Sequence, residues 1–310
     1  MKKINILQNL TIKKKQISTI NISSRKCNGK TQSMEKEQSK KNNSNTCLSM
    51  LPEECITKIF AFTSPQDVCR FSLVSTYLHS AADSDSVWAK FLPSDYLSII
   101  TKSETPIPDF RSLKDAYVYL ADHPLLIDEG HKSFSLDKWT GKKCYFLGAR
   151  DLNLSWGDSL EHWKWISVPE SRFPEVAWLE LVWWFQILGT IRAGILSPLT
   201  SYTAYLVYKL EDYSYGSDAR NVEVSVEFCG VKSANVRFLF LDPDHPSNME
   251  LDHKPVPKLR KDGWFELELG NFSTENEDDC IELTIEDVIP DFQAKGGLIV
   301  EGFEIRPTIA

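Results

Sequence analysis

From residue 131 to residue 307, apolar and polar side chains alternate in short runs, and this pattern constrains the fold more than any other feature of the chain. "VEVSVEFCG" sets Val222, Val224, Val226 and Phe228 against Glu223, Ser225 and Glu227, and "GWFELELG" sets Phe265, Leu267 and Leu269 against Glu266 and Glu268. A period of two sends successive side chains to opposite faces, so each run predicts a strand with one buried and one wetted face. "CIELTIEDV" and "GLIVEGFEI" behave alike, and "KSFSLDKW", "KCYFLGA", "ARDLNLSW", "YTAYLVYKL" and "VRFLFLD" bring the number to eight or nine. Short strands separated by turn residues predict an antiparallel β-sandwich or a related all-β fold. No segment recurs at a fixed spacing, which argues against a solenoid or propeller.

Upstream the period is helical. "LPEECITKIFAF" places Pro52 where a first turn tolerates it, Glu53 and Glu54 near the positive end of the helix, and Ile56, Ile59 and Phe60 on one face. "SPQDVCRFSLVSTYLHSAA" follows, with Ser64 as N-cap, Pro65 at the first helical position, Asp67 in the first turn, and a stripe of Val68, Phe71, Val74 and Leu78. "DSVWAKFLP" closes the unit with Trp88 and Phe91 three apart. Further on, "SLKDAYVYLADHPLLIDEG" puts Leu113, Tyr117 and Leu120 on a face before Pro124 stops the helix. The predicted architecture is α+β and multidomain: a basic disordered tail over 1–45, a small all-α unit over 46–92, a helical connector over 93–130 and an all-β antiparallel sandwich over 131–310. A unit of two or three short helices buries little surface and is marginal alone, so a bound partner is implied.

Charge is divided unevenly. Residues 1 to 45 hold eleven Lys and Arg against Glu35 and Glu37, or +9, which leaves −17 on the remainder to reach the net −8. Nucleic acid phosphates would repel so acidic a body, so no nucleic acid partner is expected. The tail lacks the apolar run of a secretory signal, and a solvated extension is the reading its composition favours, with an organelle transit peptide as the alternative. The most apolar run, "VAWLELVWWFQIL" at 176–188, is too short for a membrane span and contains Glu180. Seven cysteines form an odd count with no CxxC pair, which predicts reduced thiols and a place in the cytoplasm and nucleus. The six histidines never fall into metal spacing with them, so neither a metal nor a cofactor is expected. GxSxG, P-loop, HExxH and GxGxxG are all missing, and no catalytic residue is assigned.

"ARDLNLSWGDSLEHWKW" crowds Trp156, Trp163 and Trp165 into ten positions. Such rings either fill a core or cover the C–H face of a flat ligand such as a sugar. Trp163 and Trp165 share a face if the segment is extended, so at least one could be core, whereas "GDS" after Trp156 predicts a strand end. Trp183 and Phe185, in register with Leu179, Leu181 and Ile187, read as core.

The helical unit resembles an F-box. Its "LPEEC" start, Ile56, Ile59 and Phe60, the "SPQDVCRFSLVS" segment and the closing Val87-Trp88 stand in that family's order. The resemblance implies docking on the Skp-type adaptor subunit of an SCF ubiquitin ligase, and through it on a cullin, by Leu51, Pro52, Glu53, Ile56, Ile59, Phe60, Val74 and Trp88. The β half is similar to the plant phloem-protein-two lectins, the group that includes Nictaba. "ARDLNLSWGDSLEHWKW", "SYTAYLVYKL", "RKDGWFELELGNF" and "GGLIVEGFEIRP" are its landmarks in order, and "FLPSDY" directly follows the F-box as in a plant subfamily that joins the two. The resemblance implies a site for N-acetylglucosamine oligomers or N-glycans on Trp156 and Trp163, hence glycoprotein clients. Where sugar-binding members carry acids near the penultimate strand, this chain has Cys280 and Asp287. The function implied is a non-catalytic adaptor that captures clients for ubiquitin transfer by its partners. The alternatives are an adaptor for an unglycosylated protein client and a free nucleocytoplasmic lectin.

Overall fold

A computed structural model of the protein describes residues 50–211, 221–230, 236–244, 255–287 and 294–308. The basic tail over 1–45, read from composition as a disordered extension, lies outside these residues. The described chain divides into two compact units, one ending at Phe91 and taking in Asp109–Asp115, the other made of Leu92–Pro108 and the chain from Ala116 onward.

Among the described residues, the first unit holds four short helices: α1 (Glu53–Phe60), α2 (Pro65–Ser72), α3 (Thr76–Ala82) and α4 (Asp85–Phe91). Ser64 caps α2 by accepting from the Asp67 amide at 3.1 Å, and its hydroxyl donates to the Asp67 carboxylate at 2.8 Å. That second bond holds the Asp67 pKa below the usual carboxylate range. The stripe from Val68 to Leu78 does not run along one helix. Ser75 accepts from the Leu78 amide at 3.2 Å and so starts α3, which leaves Leu73 and Val74 in the break. Ile56, Phe60, Val68, Leu78, Val87 and Trp88 form the buried centre. The Trp88 indole satisfies its N–H by donating to the Ala82 carbonyl at 2.6 Å.

In the chain that follows, α5 spans Tyr96–Thr101 and α6 spans Leu113–Asp122. Fourteen strands come after them among the described residues. A nine-stranded antiparallel sheet is laid out in the order β1 (Leu125–Ile127), β2 (Lys132–Leu136), β3 (Lys143–Gly148), β14 (Leu298–Pro307), β8 (Ser201–Leu210), β12 (Phe265–Ser273) and β11 (Lys258–Leu259). The hairpin of β5 (Trp163–Ile166) and β6 (Val176–Leu179) joins it where β6 pairs with the first half of β14. The second sheet runs β10 (Arg237–Phe240), β9 (Asn221–Phe228), β13 (Cys280–Asp287), β7 (Gln186–Arg192) and β4 (Asn153–Leu154). All nine strands anticipated from alternation are present, and β1, β5, β6, β7 and β11 are additional.

The sheets meet face to face. Phe303 of β14 lies over Gly189 of β7, where a Cβ would come within 2.7 Å of the ring. Along β13, Ile281, Leu283 and Ile285 point into this core at alternate positions, and so does Asp287. A smaller apolar cluster of Phe146, Phe173, Val176, Val207 and Trp264 is roofed by cations, with Arg172 5.0 Å from the Phe146 ring centre and Lys209 4.8 Å from that of Trp264.

The central strand β14 carries a bulge between Val300 and Gly302 in its pairing with β8. Gly302 has φ +149°, and a Cβ there would sit 1.9 Å from the Leu147 carbonyl oxygen, an atom of the neighbouring backbone that cannot swing aside. Gly302→Ala is therefore expected to cost about 3 kcal/mol or more, from overpacking together with a disfavoured φ. Gly263→Ala, at φ +82° with nothing nearby, should cost only about 1–2 kcal/mol. Urea denaturation of the two variants, followed by tryptophan fluorescence, compares them.

Candidate functional site

Two loops at one end of the second sheet come together through backbone hydrogen bonds. The first leaves β4. The Ser155 amide donates to the Gln186 carbonyl at 2.9 Å, and the Gln186 amide donates to the Ser155 hydroxyl at 2.7 Å. The Ser155 carbonyl accepts the Trp163 indole N–H at 2.8 Å. With Ser155 held on three sides, the next residue, Trp156, turns into the left-handed region at φ +64°, rare for a bulky side chain, and the residue is 57% exposed.

The second loop joins β6 to β7 over residues 180–185. The Glu180 amide donates to the His162 carbonyl at 2.9 Å, and the His162 ring lies 2.9 Å from the Leu181 carbonyl, which can only accept. Val182 exchanges backbone bonds of 2.8 and 2.7 Å with Lys295. The Lys295 ammonium donates to the Trp183 carbonyl at 3.2 Å and pairs with the Asp287 carboxylate at 2.8 Å, both side chains being buried. The Asp287 amide donates to the Phe185 carbonyl at 3.0 Å. On this frame Trp183 is 59% exposed, and Trp184 and Leu181 are exposed beside it. His162 links the loops, since its ring also stands edge-on to Trp156 at 5.7 Å. The result is an exposed aromatic surface carried on a rigid base, with the carboxylates of Asp158, Glu161 and Glu180 on the same two loops.

The residues anticipated for sugar binding divide accordingly. Trp156 is presented to solvent. Trp163 is wholly buried, because its indole is needed inside to hold Ser155, and Asp287 is buried because period two in β13 points it into the core. Both support the loops from beneath. Trp165 is half-buried, with the Arg150 guanidinium 3.7 Å from its ring centre. The expectation that Trp183 is core fails, whereas Phe185 is buried as anticipated. The doublet Trp183-Trp184 gave no local signal of this, since both side chains are exposed in a loop between strands. The expectation of reduced thiols is also corrected: Cys229 and Cys280 form a disulfide, their Cα atoms 5.3 Å apart, while Cys55, Cys69 and Cys144 are free. Among the described residues no cluster of His, Cys, Asp or Glu is arranged to hold a metal, and no helix is long and apolar enough to cross a membrane.

On the helical unit the anticipated docking residues also divide. Leu51, Pro52, Glu53, Ile59 and Val74 reach the surface. Ile56, Phe60 and Trp88 are buried and hold the helices together. Met50, Phe62, Phe71 and Leu73 join the exposed apolar set, with Phe62 at 92%.

A family model described as F-box domain matches residues 48–90, and one described as Phloem protein 2 matches residues 142–307. The chain belongs to the F-box proteins of the phloem protein 2 family. Relatives from Arabidopsis thaliana match this chain over most of their length. F-box protein At2g02240 is 42% identical over 84% of this chain and 80% of its own, and F-box protein PP2-B10 is 39% identical over 83% and 92%. F-box protein VBF is 39% identical over 83% of this chain and 99% of its own.

For this F-box and phloem protein 2 chain, burial forecasts opposite outcomes for the two tryptophans of the motif. Trp163→Ala should cost about 3–5 kcal/mol of stability, as large-to-small changes of buried aromatic residues do. Trp156→Ala should fall within about 1 kcal/mol of the parent. Lys295→Met, which removes the ammonium that pairs with the buried Asp287 carboxylate, is expected to cost about 3 kcal/mol. Chemical denaturation of the three variants measures each loss.

Proposed function

We propose that this protein is the client-recognising adaptor of an SCF-type ubiquitin ligase, docking through its F-box on a Skp-type subunit and thereby on a cullin. The observation that carries the reading is the exposed apolar set Met50, Leu51, Ile59, Phe62, Phe71, Leu73 and Val74 on a unit whose few buried residues are already used to hold its helices. A patch of that kind on a small helical unit marks a protein interface. The phloem protein 2 domain captures the client, and the gain is effective concentration of the client beside the ubiquitin-transferring subunits. Catalysis belongs to those partners. The compartments are the cytoplasm and nucleus.

The client is a glycoprotein displaying N-acetylglucosamine, held on the exposed face that includes Trp156 and Trp183. Indole rings cover the C–H face of a pyranose, and carboxylates at the rim accept from its hydroxyls. A second reading, an unglycosylated protein client on the same surface, is favoured by one observation: Trp163 and Asp287, two of the three expected sugar contacts, are buried.

Leu51→Asp with Val74→Asp, both at exposed positions, should abolish copurification with a Skp-type subunit while leaving the melting temperature within a few degrees. Undiminished capture would overturn the adaptor reading. Titrating the full chain with an N-acetylglucosamine trimer should give a saturable fluorescence change with Kd in the high micromolar to millimolar range, about −4 to −6 kcal/mol. The change should be lost in Trp156→Ala. A folded parent that shows no response, yet loses a protein client on the same substitution, would establish the second reading.

A further inference from the structure

A cleft of about 410 Å³ opens at the far end of β13 from Asp287, lined by Asp128, Lys132, Thr190, Arg192, Ile195 and Cys280. In the β7–β13 ladder Arg192 stands directly opposite Cys280, and directly opposed residues carry their side chains on one face about 5 Å apart. Lys132 is committed to acids, 3.3 Å from both Asp128 and Asp151. Arg192 is exposed and, among the described residues, belongs to no ion pair. Cys229, at the end of β9, is exposed, so both sulfurs of the Cys229–Cys280 bond lie near solvent and one of them lies in a cleft with an uncommitted cation. The two strands do not need the bond to stay paired, because their ladder runs from Ile281↔Phe228 to Asp287↔Val222.

We propose that this cleft is an exchange site for an anionic low-molecular-weight thiol, a carboxylate-bearing peptide thiol of the glutathione kind, and that Cys280 is the sulfur it reaches. The thiolate attacks Cys280 Sγ, the bond to Cys229 Sγ breaks, and Cys229 leaves as a thiolate that takes a proton from water. A second thiol then attacks the mixed disulfide on Cys280, forming the low-molecular-weight disulfide and releasing the Cys280 thiolate. Two thiols are oxidised and one protein disulfide is reduced, and the reverse sequence closes the bond. Arg192 holds the incoming carboxylate and favours the thiolate form beside it. Cys144 does not compete, because desolvation of its sulfur pushes that thiol far up. Disulfides that persist in reducing compartments are mostly of this transient, responsive type.

Peptide mapping of the full-length protein without reductant should find Cys229 joined to Cys280. In Cys229→Ser, glutathione disulfide, which is anionic, should modify Cys280 about tenfold faster than cystamine, which is cationic, at low salt, and Arg192→Glu should reverse that order. The exposed Cys55 and Cys69, mapped in the same digests, show how thiols outside the cleft respond. If Cys229→Ser does not fold, limited reduction of the parent with glutathione should place the first adduct on Cys280 rather than Cys229. Free Cys229 and Cys280 in the oxidised protein, equal rates with the two disulfides, or an adduct on Cys229 would each overturn the assignment.

Discussion

The phloem protein 2 domain depends on the pairing of β14. Its first residues, Leu298 to Val300, pair with β6, its later ones, Gly302 to Ile305, pair with β3, and β8 runs along its whole other edge. The bulge at Gly302, in the ladder with β8, falls between the stretch that pairs with β6 and the stretch that pairs with β3. Just upstream, Lys295 bridges to Val182 and reaches the Trp183 carbonyl, so the aromatic loop is suspended from the approach to the same strand. The exposed rings inherit their rigidity from the middle of the sheet.

The F-box unit is governed by a shortage of interior. Its buried centre takes Ile56, Phe60, Val68, Leu78, Val87 and Trp88, and the apolar residues left over have nowhere inside to go. Ser64 and Ser75 sharpen this by starting helices at closely spaced points, so that Leu73 and Val74 fall in a break and are exposed. Surface presentation of these side chains follows from helix capping as much as from hydrophobic patterning.

Strand alternation was legible in the sequence because half-buried strands write their two faces as a period of two. β5 and β6 were not legible, since tryptophan-rich segments offer apolar residues on both faces. β1 and β11, at three and two residues, are too short to show a period. In the site, the turn chemistry after Trp156 disclosed an exposed ring, while the spacing of Trp163 could not distinguish a ring that touches ligand from one that holds Ser155. The place of Asp287 was hidden for a related reason: an acid in a family position suggests a ligand contact, while period two along β13 sends it inward to Lys295.

By itself the sequence determined the division into a helical unit and an antiparallel β domain, the N-cap at Ser64, and the solvent-facing turn at Trp156, because each depends on residues within a few positions of one another. Only the tertiary structure decided that Trp183 faces outward, that Asp287 and Lys295 neutralise each other inside, and that Cys229 meets Cys280 beside Arg192. Those outcomes join residues from different strands. They depend on ladder register and on the cost of burying a charge unpaired, which no local pattern encodes.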